Sequence, residues 1–266
     1  MSASKPVLWH IPISHYNEKV RWALDWKGIA FERHAPTPGA HMAVALWLTR
    51  GVHKTFPILQ IDGRTIGDSS AIIASLEQLE PDPPLYPSDP AELDRALELE
   101  RFFDEELGPH VRLLAFHELR RDPEALAVFA ATLMPAPMAR SGVARALGAR
   151  MGSTYSQLRY RVGGEDAAQL ARKKVLAALD RLERELEAAD GHYLIGDALS
   201  VADLTAASMF MPLAQPPEGP NQLDLPEPYE RFREPLRERP GYRWVLETFA
   251  RDRRRSPQRE PALPAT

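Results

Sequence analysis

The sequence predicts a small α/β domain followed by a larger all-α domain. A proline-rich segment, residues 80–87, separates two parts of the 266-residue chain that differ in their apolar patterns. Short apolar runs alternate with helical patterns before it, whereas nearly every pattern after it has helical spacing. We therefore expect domains over residues 1–80 and 89–250, a linker over 81–88 and a disordered tail over 251–266.

Seven elements are predicted in the first part. Gly28 and Gly51 each follow a helical pattern and are natural helix ends. Asp62 and Gly63 lie between two apolar runs, which is the strongest local hairpin signal because both positions of a type I′ turn need positive φ. In chain order the elements are strand 6–10, helix 18–27, strand 29–35, helix 40–49, strands 56–61 and 64–66, and helix 69–79.

The second part is predicted to be helical throughout. Asp89 and Asp122 each precede a proline and a nearby glutamate, the pattern of a capped helix start. A long amphipathic helix is predicted over 165–189, and Ser200 is expected to cap a mostly apolar, buried helix. A last helix is predicted over 241–249.

The composition excludes several classes of protein. The chain has no cysteine, which rules out disulfides, thiolate zinc sites, iron–sulfur clusters and a cysteine nucleophile. Its net charge of −4 predicts no wholesale attraction to nucleic acid. The first residues lack the pattern of a secretory signal, and no run of about 18 apolar residues occurs. We therefore expect a cytoplasmic protein without a transmembrane segment.

The junction between the first strand and the first helix is the first candidate for chemistry. Amides at a helix N-terminus carry about half a positive charge and can hold an anion. Ser14 lies at this junction, where its hydroxyl could donate to a bound thiolate. The alternative is that Ser14 only caps the helix, which is the commoner role. His15 has no metal-ligand spacing, and no metal site is predicted.

Two further clusters follow along the chain. Lys54 and Phe56 precede Pro57 at the start of a strand, where proline is tolerated, and residue statistics favour a trans bond between Phe56 and Pro57. Asp68 can cap the next helix, or can face an ammonium or carboxylate group together with Ser69. Capping is again the commoner role.

Five segments, taken in order, resemble those of the glutathione transferase superfamily. Residues 14–24 resemble its helix-one motif, in which Ser or Cys is followed by Lys-Val-Arg and a helical Leu. Residues 55–59 are similar to its Val-Pro-x-Leu segment and residues 68–72 to its Glu-Ser-x-Ala-Ile segment. Residues 194–203 resemble its capping box and staple, and residues 239–242 resemble the turn before its final helix.

The resemblance extends over about residues 7–250. It implies a thioredoxin-like first domain, an all-helical second domain with an extended insertion, and a thiol site in the cleft between them. Ser14 would lie beside the glutathione sulfur as a hydrogen-bond donor. The backbone of Phe56, presented by a cis Pro57, would pair with the cysteinyl part of the tripeptide.

The resemblance assigns the remaining site residues in the same way. Asp68 and Ser69 would hold the γ-glutamyl end of glutathione, and Lys54 would face the glycyl carboxylate. His15 and Tyr16 would border the second-substrate pocket. The chain departs from the family pattern at His15, which replaces a proline, and at Asp68, which replaces a glutamate. The absence of cysteine excludes the mixed-disulfide chemistry of the cysteine-type branches.

The segment 125–164 is unusual because it contains five arginines and no Asp or Glu. One interpretation is a lid over the second-substrate pocket, or a patch for an anionic or amphiphilic ligand. The other is a solvated helical insertion, which the general behaviour of charged runs favours.

The resemblance implies a glutathione transferase-like enzyme that activates a bound thiol for attack on an electrophilic small molecule. Glutathione is the expected co-substrate, with another low-molecular-weight thiol as an alternative. A second hypothesis is a non-catalytic binding or scaffold protein with the same fold, because fold alone does not determine function. A homodimer is expected from the resemblance.

Overall fold

Four short strands and three helices form the first domain. The computed structural model describes residues 5–37, 40–132, 142, 164–189, 191–220 and 222–253. The elements are β1 (Val7–Trp9), α1 (His15–Trp26), β2 (Glu32–His34), α2 (Ala40–Leu48), β3 (Ile58–Ile61), β4 (Arg64–Gly67) and α3 (Ser69–Leu79). The sheet order is β2-β1-β3-β4; β1 is parallel to β2, and the other two pairs are antiparallel. The predicted α/β order and thioredoxin-like fold are confirmed.

The β3–β4 hairpin turns at the predicted pair of residues. Asp62 and Gly63 have φ angles of 49° and 74°, both in the left-handed region. Ile61 pairs with Arg64 directly across this two-residue turn. The helix that follows covers residues 69–79, with the bounds predicted from its apolar spacing.

Helices form the described part of the second domain. They are α4 (Pro90–Phe102), a π-helical turn (Phe103–Leu107), α5 (Gly108–Arg121), α6 (Pro123–Thr132), α7 (Glu165–Ala188), α8 (Val201–Ala214), α9 (Glu227–Arg233), a 3₁₀ turn (Glu234–Leu236) and α10 (Pro240–Asp252). The Asp89 and Asp122 carboxylates accept hydrogen bonds from first-turn amides of α4 and α6, as predicted. Asp203 accepts from the Ser200 amide and hydroxyl at 2.9 and 2.6 Å, which caps α8.

One apolar core joins the two domains. Val20, Trp22 and Leu24 of α1 are fully buried in a cluster that also contains Phe210 of α8 and Phe249 of α10. The rings of Trp22 and Phe249 are 4.6 Å apart. Since α1 is held in this core, its N-terminal end is fixed at the boundary between the domains.

The first helix begins three residues before its predicted start at residue 18. The Glu18 amide donates to the Ser14 carbonyl oxygen at 2.8 Å, which closes the first turn at Ser14. His15, Asn17 and Glu18 are buried polar residues, so the first turn carries no apolar spacing. Their partners are distant in sequence: Asn17 bonds to Phe56, His15 to Gly108 and Glu18 to Arg253, which local sequence does not reveal.

The disordered tail was predicted to begin too early. The last helix, α10, continues to Asp252, and the Arg253 side chain is buried between the carboxylates of Glu18 and Asp25. The apolar spacing ends before these residues, but ion pairs hold them to α1. The predictions for residues 254–266 and, within the arginine-rich segment, for 133–141 and 143–163 concern residues outside those described.

Candidate functional site

A cleft of about 710 Å³ lies where the start of α1 meets α4 and α5. It brings together seven of the eight predicted site residues. These are Ser14, His15, Tyr16, Phe56, Pro57, Asp68 and Ser69. The ordered motifs therefore converge on one cavity, although they are spread over more than fifty positions of the chain.

Ser14 occupies the N-cap position of α1 with an extended backbone, at φ −78° and ψ 127°. Its side chain makes no capping hydrogen bond, so the structure does not support the alternative in which Ser14 only caps the helix. The hydroxyl group thus lies in the cleft wall at the positive end of the α1 dipole.

The segment before β3 forms a second wall of the cleft. The bond between Phe56 and Pro57 is cis, as the family resemblance implied and contrary to the residue statistics. Asn17 connects this segment to the start of α1: its side-chain amide donates to the Phe56 carbonyl oxygen at 3.4 Å, and its oxygen accepts from the Ile11 amide at 3.2 Å.

Asp68 and Ser69 form a third wall, at the start of α3. One carboxylate oxygen of Asp68 accepts hydrogen bonds from the amides of Ser70 and Ala71, at 3.0 and 3.1 Å. The predicted capping role is confirmed, and it fixes the carboxylate beside the cleft. Asp68 has a φ of 74°, a strained region for a residue with a side chain. Ser69 is almost completely buried.

The structure does not bring Lys54 into the cleft. Its side chain is exposed and is not part of the described lining, whereas its neighbours His53 and Thr55 do line the cavity. The His53 amide donates to the Thr49 hydroxyl oxygen at 2.9 Å, which fixes the segment in this orientation. The assignment of Lys54 to the glycyl carboxylate therefore has no support in the geometry.

His15 and Tyr16 lie at the base of the cleft, with their polar atoms bonded to the second domain. The Nε2 atom of His15 is 3.0 Å from the carbonyl oxygen of Gly108, and the Tyr16 hydroxyl donates to the carbonyl oxygen of Asp104 at 2.6 Å. Burial, followed by the charge of Arg112, lowers the pKa of His15 to about 3. Burial raises the pKa of Tyr16.

Gly108 allows this close approach between α1 and α5. A Cβ atom at that position would lie 2.3 Å from the Tyr16 hydroxyl oxygen and 2.9 Å from the sulfur of Met209. A larger residue would displace the Tyr16 ring or the Met209 side chain from its present position. Contacts with the second domain therefore hold His15 and Tyr16 at the base of the cavity. Both side chains are neutral at pH 7, because the pKa of His15 lies well below 7 and that of Tyr16 well above it.

Sequence reasoning missed a buried ionic cluster beside the cleft. The Lys19 ammonium group, which is fully buried, lies 2.8 Å from Glu100 and 2.6 Å from Asp104, and donates to the Ser70 hydroxyl at 3.0 Å. The Ser70 hydroxyl in turn donates to Asp104 at 2.9 Å. Burial raises the pKa of Asp104, against the opposing effect of Lys19. The only sequence signal was a lysine inside an otherwise core-facing helix.

Sequence reasoning also missed a wall formed by α5. Arg112, Ala115, Phe116 and Leu119 line the cleft at positions i, i+3, i+4 and i+7. This spacing places all four on one face of the helix. The pattern is present in the sequence, but it is that of any amphipathic helix and does not show what the face lines.

Neither a metal cluster nor a membrane-spanning helix is found within the described ranges. No three His, Asp or Glu side chains of those residues gather as metal ligands would. None of the helices described there combines the length and apolar character needed to cross a bilayer.

The protein is of the class in which a thioredoxin-like domain is followed by a helical domain. It has a mixed four-stranded sheet, a helical second domain and a cleft at the start of α1. Models of the glutathione S-transferase N-terminal and C-terminal domains match residues 8–84 and 165–234, which together exceed half of the chain. The chain belongs to the glutathione S-transferase superfamily. This membership confirms the predicted family and its class of glutathione-dependent transferases and isomerases.

Individual relatives agree with this membership. Maleylacetoacetate isomerase of Rattus norvegicus is 29% identical over 210 residues, covering 78% of this chain and 77% of that protein. A solved maleylacetoacetate isomerase from Anaeromyxobacter dehalogenans is 20% identical, with a TM-score of 0.57 over 100% of this chain and 98% of that one.

A second solved structure shares the fold at a similar level. It is a glutathione S-transferase from Methylobacterium radiotolerans in complex with glutathione sulfonate. The two chains are 20% identical, with a TM-score of 0.53 over 91% of this chain and 95% of that one. The homodimer and the cytoplasmic location stay predictions.

Proposed function

We propose that the protein lowers the pKa of the thiol of bound glutathione, or of a related low-molecular-weight thiol, and delivers the thiolate to an electrophilic carbon. The observation that carries the proposal is the Ser14 hydroxyl, which lies in the cleft wall at the N-terminus of α1 and makes no capping bond. A free thiol with a pKa near 8.5 is mostly protonated at neutral pH. A hydrogen bond from Ser14 and the positive helix end both favour its ionised form.

The neighbouring walls are proposed to hold the rest of the thiol compound. The backbone at Phe56 and Pro57 offers peptide groups to the cysteinyl part, and Asp68 and Ser69 offer polar groups to the γ-glutamyl end. Ser14 acts as a hydrogen-bond donor and forms no covalent bond. This division of roles follows the family resemblance and is supported by the convergence of the five residues on one cavity.

The proposed reaction begins when the thiol loses its proton to solvent. The sulfur electron pair then forms a C–S bond with the electrophilic carbon. In conjugation, a leaving group departs with its bonding pair, or the π electrons of a C=C bond move to an adjacent carbonyl oxygen and water protonates the α-carbon. If the enolate instead rotates about the former C=C bond, which is now single, and expels the thiolate as the C=C bond forms again, the result is cis–trans isomerisation. Relatives named maleylacetoacetate isomerases favour this second outcome.

The test replaces Ser14 by Ala and measures conjugation of glutathione to a general electrophilic aromatic substrate from pH 6.5 to 8. Loss of one hydrogen bond to an anion is expected to lower the rate about 10- to 100-fold. The loss should be larger at pH 6.5 than at pH 8, because the thiol of the variant ionises at higher pH. Ser75→Ala, which removes a serine hydroxyl from α3 outside the cleft lining, is the matched control.

An unchanged rate in Ser14→Ala would remove Ser14 from the mechanism. Parallel titrations of the wild-type protein with several low-molecular-weight thiols, followed by the fluorescence of Trp9, identify the thiol. Saturable binding without turnover of any electrophile would favour the binding or scaffold alternative over an enzyme.

A further inference from the structure

The cleft wall formed by α5 is charged at one end and apolar at the other. Arg112 comes first, and Ala115, Phe116 and Leu119 follow on the same face of the helix. At a rise of 1.5 Å per residue, Phe116 and Leu119 lie about 6 and 10 Å beyond Arg112 along the helix axis. A molecule lying along this wall therefore meets a cation at one end and apolar groups at the other.

Arg112 lies beside the two residues that follow Ser14 in the chain. Its guanidinium group lies over the ring of Tyr16, 5.8 Å from the ring centre. Its charge adds to burial in lowering the pKa of His15, the residue next to Ser14 in the chain. The positive charge of Arg112 therefore acts at the end of the cleft where the thiolate is proposed to form.

The far end of the wall is apolar and closely packed. Phe116 meets Phe129 of α6 edge-on, with ring centres 5.6 Å apart. Side chains from three other parts of the chain complete this end of the lining. They are Ile13, Pro212, Leu223 and Leu225. An apolar arm of a ligand would be surrounded here by aliphatic and aromatic groups.

Acidic side chains also line the cleft, and three of them have partners. Glu100 and Asp104 are both ion-paired with the buried Lys19. The Asp68 carboxylate accepts hydrogen bonds from amides at the start of α3. Arg101 and Glu105 line the cleft as well, so a negative group of a ligand is favoured beside Arg112 and disfavoured beside Glu105.

We propose that Arg112 selects electrophiles that carry a carboxylate close to the reacting carbon and an apolar arm about 6–10 Å long. The inference rests on the proposed function, since it names the substrate class of the same cleft. The planar guanidinium group binds a carboxylate through two parallel hydrogen bonds, which fixes the orientation of the substrate as well as its charge. The apolar arm lies along Phe116 and Leu119.

An aryl-substituted α,β-unsaturated keto acid has the required features. The thiolate sulfur forms a bond to the β-carbon, the π electrons of the C=C bond move onto the carbonyl oxygen, and water supplies a proton to the α-carbon. The carboxylate takes no part in bond making, so its methyl ester undergoes the same addition. Because the neutral ester group withdraws electrons more strongly than the carboxylate, each kcat/KM is divided by the rate constant for uncatalysed addition of the same thiol to the same compound. The normalised values then differ only through the group that Arg112 would bind.

The experiment compares kcat/KM for this acid and its methyl ester. The proteins are the wild type, Arg112→Gln, Arg112→Lys and the matched control Arg121→Gln, which removes an exposed arginine of α5 outside the cleft lining. Wild type should prefer the acid, and Arg112→Gln should lose about 10- to 100-fold of that preference. Arg112→Lys should keep part of the preference, and Arg121→Gln should keep all of it.

The acid-to-ester ratio is measured within one protein sample, so a smaller folded fraction of a variant does not change it. Equal normalised kcat/KM values for acid and ester in the wild type overturn the inference even if Arg112→Gln does not fold. An unchanged ratio in Arg112→Gln also overturns it. Turnover of a general aromatic electrophile without turnover of the acid overturns this substrate class alone, whereas a wild type inactive on every electrophile contradicts the proposed function itself.

Discussion

Replacing Lys19 by Met should destabilise the protein strongly, and the loss should depend on pH. Methionine has a similar length but no charge, so the variant leaves Glu100 and Asp104 without the ammonium group that lies 2.8 and 2.6 Å from them. The Lys19 side chain is fully buried, so water does not replace it. Breaking a buried ion pair by removing one partner costs about 3–5 kcal/mol, which is the loss of unfolding free energy expected at pH 8.

The direction of the pH dependence follows from the acids that remain. Burial already raises the pKa of Asp104, while Lys19 opposes this shift. Without Lys19 the pKa of Asp104 rises further, so the folded variant takes up a proton that the unfolded chain releases. Each such proton makes the variant more stable by about 1.4 kcal/mol for every pH unit that the pH falls. The destabilisation should thus be smaller at pH 6 than at pH 8.

Urea unfolding of the wild type and Lys19→Met, followed by the fluorescence of the buried Trp22, measures both quantities. The control is Lys174→Met, because Lys174 forms an exposed ion pair with Glu106 on the same side of the domain. An exposed pair contributes less than about 1 kcal/mol to the free energy of unfolding, and its loss should not become smaller as the pH falls from 8 to 6. A loss below about 1 kcal/mol in Lys19→Met, or a loss that is constant from pH 8 to pH 6, would refute the buried-pair argument.

Two further predictions concern the contacts of α1. The pKa of His15 is about 3 in the folded protein and near 6.5 in the unfolded chain, so its contribution to stability is complete above pH 6.5 and is lost as the pH falls towards 3. Between pH 6.5 and pH 5 the wild type should lose about 1.7 kcal/mol through this residue, a loss that denaturant titration of His15→Gln should not show. Arg253→Gln should cost about 2–3 kcal/mol in the same titration, because Glu18 and Asp25 lose a buried partner. Arg243→Gln, at an exposed ion pair, should change stability by less than about 1 kcal/mol, and a similar loss in both arginine variants would contradict the burial argument.

Local chemistry predicted the elements whose ends depend on residues close in sequence. The hairpin at Asp62 and Gly63 and the capped starts at Asp89 and Asp122 each depend on hydrogen bonds or dihedral angles within a few residues. The start of α1 was predicted too late because its polar first turn is buried by distant partners. Residue Arg253 was assigned to a tail for the same reason, since its partners lie more than 220 positions away.

The candidate site likewise contains some residues that the sequence could predict and others that it could not. Ser14, Phe56 and Asp68 could be found because motifs in a fixed order have a known spatial meaning in the superfamily. The Lys19 cluster could not, because its carboxylates lie 81 and 85 positions further along the chain. The role of Lys54 stays a prediction, since a motif gives the position of the backbone, whereas the direction of a long side chain depends on the turn that carries it.

These contacts have a common consequence for the thiol end of the cleft. Ser14 belongs to the first domain, but successive turns of its helix are held by the second. A backbone carbonyl at the start of α5 holds His15, and one in the π-helical turn holds Tyr16. Carboxylates of α4 and the π-helical turn hold Lys19. Glu18 is held by the residue that follows α10. The position of Ser14 is therefore fixed by the interface between the domains as much as by the first domain's own fold. Because the α5 wall belongs to that same interface, the proposed thiol site and the proposed carboxylate site are positioned together.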